Sequence, residues 1–235
     1  MSSDECNFEI GMDRLQERLG YRFQDQELMV QALTHRSYAN EQTPRIADNE
    51  RLEFLGDAVL ELVISARLFH TYTDMTEGQM TRARAHLVQA ESLAQLSREL
   101  DIGQLLRLGK GEESTGGRTK NSVLADALEA VFGALYVDGG LALCDTIAGQ
   151  LFTHQISQET SLTQQDPKSR LQELLQEQGR PTPCYPVVEE DGPDHDRRFL
   201  VEVRCEDEYL GQGEGRSKKE AAVTAAQDAL SRWPE

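Results

Sequence analysis

The chain is short of basic charge, cysteine, tryptophan and long apolar runs. Its 235 residues hold 24 Lys+Arg against 41 Asp+Glu, a formal charge of −17. A generic nucleic-acid binder carries the opposite excess, so any nucleic-acid contact must come from local clusters of cations and not from the far field. The four cysteines, Cys6, Cys144, Cys184 and Cys205, lie far apart and none forms a C-x-x-C pair. That pattern argues against a disulfide framework, and the five scattered histidines add no zinc-ligand spacing. Reduced thiols are expected. No stretch approaches the roughly 18 consecutive apolar residues of a membrane helix. Met1 to Ile10 contains Asp4, Glu5 and Glu9 and no apolar segment, unlike a secretory signal. The expected location is cytoplasmic.

With 38% hydrophobic and 28% charged residues and 7 prolines, the composition is globular. The acidity is not a tail: residues 1–165 carry 14 basic and 25 acidic side chains, and residues 166–235 carry 10 and 16.

Through the first two thirds, apolar residues recur at helical spacing. Helices are expected over Met12–Leu19, Gln26–Leu33, Asn49–Phe69, Glu77–Leu87, Ser92–Leu100, Ser122–Tyr136 and Leu141–Phe152, with no period-2 strand before residue 180. This predicts an all-α domain of about 150 residues. His154–Gln165, rich in Ser, Thr and Gln, reads as a linker. Beyond it a helix over Asp166–Gln178 precedes three short strands, at Tyr185–Val188, Arg198–Val203 and Glu208–Gln212, and a last helix over Ser217–Trp233. The order α-β-β-β-α describes a small α+β domain. The expected division is 1–155, a linker over 156–165, and 166–235.

The sharpest feature is Asn49-Glu-Arg-Leu-Glu-Phe-Leu-Gly-Asp-Ala-Val-Leu60. At about 100° per residue, Glu50, Glu53 and Asp57 share an arc of about 60°, while Leu52, Leu55, Val59 and Leu62 form the core face. Acids at i, i+3 and i, i+4 spacing repel. A solvated acidic face is the ordinary explanation, and a hard divalent cation such as Mg²⁺ the functional one. A second pair, Asp126 and Glu129, sits one turn apart on the apolar helix around Leu124, Leu128, Val131 and Phe132, where unpaired carboxylates are costly. Two such helices together would gather carboxylates around one or two metal ions, which suits phosphodiester hydrolysis. Phe54 falls beside the acids and off the core face.

Gly109–Lys120 is glycine-rich but does not fit a P-loop: Gly116-Gly117 stands where Gly-Lys is required, and no strand precedes it. It reads as a mobile loop beside the acids. Lys110, Arg118 and Lys120 there suit either a phosphate backbone or plain solubility.

In the last helix, Ser217 and Glu220 have capping-box spacing. Lys218 and Lys219 then occupy the first turn, where the helix dipole disfavours cations, an arrangement that a phosphate partner explains.

Asn49–Leu60 resembles the signature segment of the ribonuclease III family, and Leu124–Ala130 is similar to its second acidic box. Ala32-Leu-Thr-His-Arg-Ser-Tyr38 and Leu108–Arg118 are similar to bacterial members, and residues 166–235 resemble a double-stranded RNA-binding domain. The resemblance covers essentially the whole chain. It implies an RNase III fold and a Mg²⁺-dependent endoribonuclease of double-stranded RNA, with Mn²⁺ as a substitute ion. Products with 5′-phosphate and 3′-hydroxyl ends and short 3′ overhangs are expected, from precursors of ribosomal RNA and structured messenger RNAs. Glu53, Asp57, Asp126 and Glu129 match the catalytic, metal-binding acids; Glu50 and Glu77 match accessory acids. The resemblance makes the protein a homodimer with Phe54 plugged into the partner. Ser169, Gln172, Glu173, His195, Lys218 and Lys219 match RNA contacts, although Asp191, Asp194 and Asp196 crowd His195. Neither a membrane nor an organic cofactor is expected. The alternatives are a double-stranded RNA-binding protein without catalysis and a metal phosphohydrolase of small molecules.

Overall fold

The structure is a computed structural model that describes residues 3–164, 167–191 and 197–233. The chain divides into two compact units, Met1–Thr160 and Ser161–Glu235.

The first unit is helical: α1 (Ser3–Leu19), α2 (Gln26–Ala32), α3 (Arg36–Glu41), α4 (Glu50–Thr71), α5 (Glu77–Leu87), α6 (Ala90–Glu99), α7 (Ile102–Leu105), α8 (Lys110–Ser114), a 3₁₀ turn at Gly117–Thr119, and α9 (Asn121–Gln164). The starts have local causes. Asp25 caps α2 by accepting from the Glu27 N–H at 2.9 Å. Thr76 and Gln79 close a reciprocal capping box on α5. The core is built on two helices: Leu52, Val59, Leu60, Val63, Ile64 and Leu68 of α4, and Leu124, Leu128, Val131, Phe132 and Leu135 of α9, are all buried. Leu62, expected on the core face, is instead 55% exposed. It lies at the margin of the apolar arc, which the core does not reach.

By length and composition the span Asn121–Ser157 would suffice to cross a membrane. It is not one straight rod. Gly140 takes φ 78°, a left-handed conformation open to glycine. The chain folds back there, since the Phe132 and Phe152 rings, twenty residues apart, meet edge to face at 6.5 Å. The expected pair of helices is therefore real in its packing. The segment read as a linker differs from expectation: helix continues to Gln164. Residues 154–164 contain no Gly or Pro to stop it.

The segment 109–120 also differs. It is a short helix and a 3₁₀ turn held by many bonds. Arg118 donates to the carbonyls of Gly103 and Leu106, at 3.0 and 2.8 Å, and pairs with Glu113 at 2.7 Å. Lys120 pairs with Glu112 at 2.7 Å. Arg118 and Lys120 are thus committed inside the fold.

The second unit holds α10 (Pro167–Glu177), β1 (Val187–Asp191), β2 (Arg198–Cys205), β3 (Glu208–Gly215) and α11 (Lys218–Ser231). The strands form an antiparallel sheet in the order β1-β2-β3. Alternation on β2 buries Phe199, Val201, Val203 and Cys205. Opposite Val203 and Val201 stand Gly211 and Gly213 of β3. They let the alanine face of α11 (Ala221, Ala222, Ala225, Ala226 and Ala229) lie directly on the sheet: a Cβ on Gly213 would stand 2.2 Å from the Ala225 nitrogen. The first strand starts two residues later than expected, because Pro186 has no N–H to donate to a ladder.

Candidate active site

The acids of α4 and α9 meet across the closest approach of the two helices. One carboxylate oxygen from each of Glu53, Asp126 and Glu129 lies within 4.8 Å of the others. All three side chains are half-buried. Crowding of like charges out of water disfavours their ionised forms. Burial, then Asp57, Asp126 and Glu53, push Glu129 up to about 8. Burial, followed by Asp126, Glu50 and Asp57, also raises Glu53, against an opposing pull from Arg36. Asp126 is raised by burial, with His35 opposing. Asp57, one turn along α4 from Glu53, is exposed and stands outside the tight group, yet its charge reaches both Glu129 and Glu53.

The other expected acids stand apart. Glu50 is exposed and pairs with Arg36 of α3 at 3.1 Å. Glu77, in the first turn of α5, accepts from the Thr81 hydroxyl at 2.9 Å and lines a groove with Leu62, Phe69 and Met80. Neither joins the group of three.

Three features of the site are not apparent from the sequence. Gly56 and Gly133 allow the helix contact itself: a Cβ on Gly133 would fall 2.1 Å from the Leu52 carbonyl oxygen. His35 caps α3, its Nδ1 accepting from the Ser37 N–H at 3.2 Å. The Ser37 hydroxyl meets the same Nδ1 at 2.7 Å and accepts from the Gly109 N–H at 2.9 Å. His35 and Arg36 are thus anchored on the rim of the acid cluster, where both oppose the rise in carboxylate pKa values. The segment Ala32–Tyr38 carried the signal, but its spacing alone does not say what His35 and Arg36 face.

In the second unit, Lys218 and Lys219 are exposed in the first turn of α11. Ser217 caps the helix by accepting from the Glu220 N–H at 3.1 Å. The Glu220 carboxylate takes the Arg216 N–H at 2.8 Å and not that of Ser217, so the expected box is one-sided. Lys218 stands 5.4 Å above the Phe199 ring and 3.9 Å from Glu190. Ser169, Gln172 and Glu173 are half-buried on α10. His195, with Asp194 and Asp196, lies outside the described residues.

The chemistry of three hard oxygen donors in one half-buried group fits a divalent cation, which would offset the repulsion that raises their pKa values. Known proteins agree in both units. A family model described as ribonuclease-III-like matches residues 25–156, and one for the double-stranded RNA binding motif matches residues 167–232. Ribonuclease 3 of Shouchella clausii is 49% identical over 221 residues, 93% of this chain and 84% of its own. The enzyme of Geobacillus thermodenitrificans is 48% identical over 217 residues, 92% of this chain and 88% of its own. The solved nuclease domain of Campylobacter jejuni ribonuclease III superposes with a TM-score of 0.57 at 40% identity, covering 61% of this chain and 97% of that one. With matches along nearly its whole length, the chain belongs to the ribonuclease III family and is an endoribonuclease of double-stranded RNA, a helical nuclease domain followed by a double-stranded RNA-binding domain.

Proposed function

We propose that the chain hydrolyses double-stranded RNA with Mg²⁺ held by Glu53, Asp57, Asp126 and Glu129, and that Mn²⁺ can substitute. The family depends on a divalent metal, and the carrying observation is the group of three carboxylates within 4.8 Å. A bound ion supplies Lewis-acid polarisation of the phosphate and a water of lowered pKa. The protein's own part is to hold the carboxylates together against their repulsion and, at Glu129, to surrender a proton as metal binds. Glu50 and Glu77 act as accessory acids, Glu50 through its hold on Arg36.

Substrate is gripped in the second unit by Lys218 and Lys219 on phosphate and by Ser169, Gln172 and Glu173 along the minor groove. Such domains read A-form shape and 2′-hydroxyls, not sequence. His195 belongs to the same reading. The division of labour is catalysis in 1–155, connection through 156–165, and RNA binding in 166–235.

The active form is a homodimer. Phe54 is 82% exposed, and an apolar groove of 490 Å³ on α4 and α5 leaves Phe69 63% exposed. Faces of that kind on one chain are unfavourable in water. The Campylobacter jejuni nuclease domain is described by the flexibility of its dimer-forming region. Two sites on a two-fold axis, each cutting one strand, would leave 5′-phosphate and 3′-hydroxyl ends with short 3′ overhangs. Precursors of ribosomal RNA and structured messenger RNAs in the cytoplasm are the substrates this reading favours. A perfect RNA duplex incubated with Mg²⁺, Mn²⁺ or EDTA tests it. Cleavage in either metal and none in EDTA is expected; cleavage in EDTA would exclude metal chemistry.

A further inference from the structure

On the first unit a cleft of 1290 Å³ opens between α1 and the segment Leu100–Leu108, and none of the clustered acids lines it. Its lining holds four arginines, Arg14, Arg18, Arg107 and Arg118, and one acid, Asp101. Two of the four are neutralised: Arg18 pairs with Asp101 at 2.8 Å, and Arg118 with Glu113 at 2.7 Å. The other two are not. Arg107 is half-buried, with its guanidinium 4.4 Å over the Tyr38 ring. Its hydrogen bonds go to hydroxyls, those of Thr34 at 3.3 Å and Tyr38 at 3.1 Å, and among the described residues to no carboxylate. Arg14 makes neither an ion pair nor a hydrogen bond among the described residues.

A half-buried guanidinium without an anion is costly. Guanidinium is also the side chain best shaped for phosphate oxygens, and Arg107 keeps free N–H groups after its two hydroxyl bonds. Beside the cations, the apolar side chains Phe8, Ile10 and Leu105 line part of the same cleft, and Ile10 is 46% exposed. Pockets for small ligands pair such a wall with a few placed polar groups. We propose that this cleft binds a nucleoside polyphosphate, with its phosphates on Arg14 and Arg107 and its base against the Phe8–Ile10 wall. This site is separate from the cleavage reading and does not depend on it.

The test is calorimetric titration of the full chain in EDTA, so that no metal ion bridges phosphate to the acid cluster. ATP and inorganic pyrophosphate serve as probes. One saturable ATP site per chain is expected, with pyrophosphate weaker by about tenfold or more because it lacks the base. Arg14→Glu should weaken ATP by at least about tenfold while leaving duplex cleavage without nucleotide unchanged. Because the Arg14 side chain makes no bond among the described residues, this variant keeps the result interpretable even if Arg107→Met fails to fold. Lys218→Ala with Lys219→Ala should leave ATP binding unchanged. No saturable heat up to about 5 mM ATP would overturn the site. So would binding that survives Arg14→Glu or disappears with the lysine pair. Equal affinity for the two probes would overturn the nucleoside assignment.

Discussion

Gly56 of α4 lies so close to α9 that a Cβ on it would stand 1.7 Å from the backbone carbonyl oxygen of Glu129. The contact is reciprocal, since Gly133 is pressed against the Leu52 carbonyl in the same way. The spacing of Glu53, Asp126 and Glu129 is therefore set by backbone touching backbone. Gly56→Ala should push the helices apart and cost about 1–3 kcal/mol of stability. Cleavage should fall by roughly 100-fold or more, because displacement of about 1 Å at a reacting centre has that effect. Thermal melting and single-turnover cleavage measure the two. An alanine variant with normal melting and normal cleavage would mean that the carboxylate spacing tolerates a wider helix contact.

The raised pKa of Glu129 has a consequence for pH. Glu129 titrates near 8 in the fold and in the ordinary carboxylate range once unfolded, so between those values the native state binds the extra proton. Metal-free protein should lose stability as pH rises through this window and level off above about 8. Glu129→Gln should flatten that slope, since it removes the titrating group. Apparent metal affinity should run the other way, increasing with pH until Glu129 is ionised. Melting curves in EDTA from about pH 5 to 9 and metal titrations over the same range check both signs. A metal-free melting temperature that climbs toward pH 8 would contradict the raised value.

Much of this site was legible in the sequence because carboxylates on an amphipathic helix are visible at fixed angles. Glu50, Glu53, Asp57, Asp126 and Glu129 stand out from Leu52, Val59, Leu128 and Phe132 by periodicity, while the choice of four of them as metal-binding acids rests on the resemblance to the family. What periodicity does not carry is the partner helix. Gly56 and Gly133 look like weak points in good helices until the other backbone is in view. The same holds for Gly211 and Gly213 beneath Ala225. Helices α3, α7 and α8 have six, four and five residues, too short for a pattern. They stand on tertiary bonds such as Gly109 to Ser37 and Lys110 to Glu41, at 2.9 and 2.8 Å. Leu62 shows the reverse limit, where a correct angle on a helix does not say whether anything lies opposite.

Phe54→Ala should weaken self-association. The aromatic ring is 82% exposed on a single chain and has no packing role there to lose. Sedimentation at low micromolar concentration should show a larger monomer fraction in the variant, with an unchanged melting profile of the secondary structure. An identical sedimentation profile for variant and parent would remove Phe54 from the contact between subunits.

Lys218→Ala with Lys219→Ala should weaken duplex binding mainly at physiological salt. Removing one neutralised phosphate lowers the slope of log affinity against log salt by roughly 0.9 on the B-form scale. The pair should therefore lower it by about two, and the −17 chain offers little long-range attraction to replace them. Binding of a perfect duplex between about 0.05 and 0.2 M salt reads the slope directly. An unaltered slope would assign these lysines to the solvent.

The central claim, that the acids gathered between α4 and α9 perform the cleavage, is tested most directly by Glu129→Gln in single-turnover cleavage of a perfect duplex with saturating Mg²⁺. Glu129 is half-buried within 4.8 Å of its two fellow carboxylates and belongs to the first unit, outside the RNA-binding one. Loss of cleavage by about 1000-fold or more is expected, with duplex affinity unchanged. Partial recovery in Mn²⁺ would be consistent with a weakened metal site. Near-normal turnover in Mg²⁺ by the folded variant would mean that these acids do not perform the cleavage.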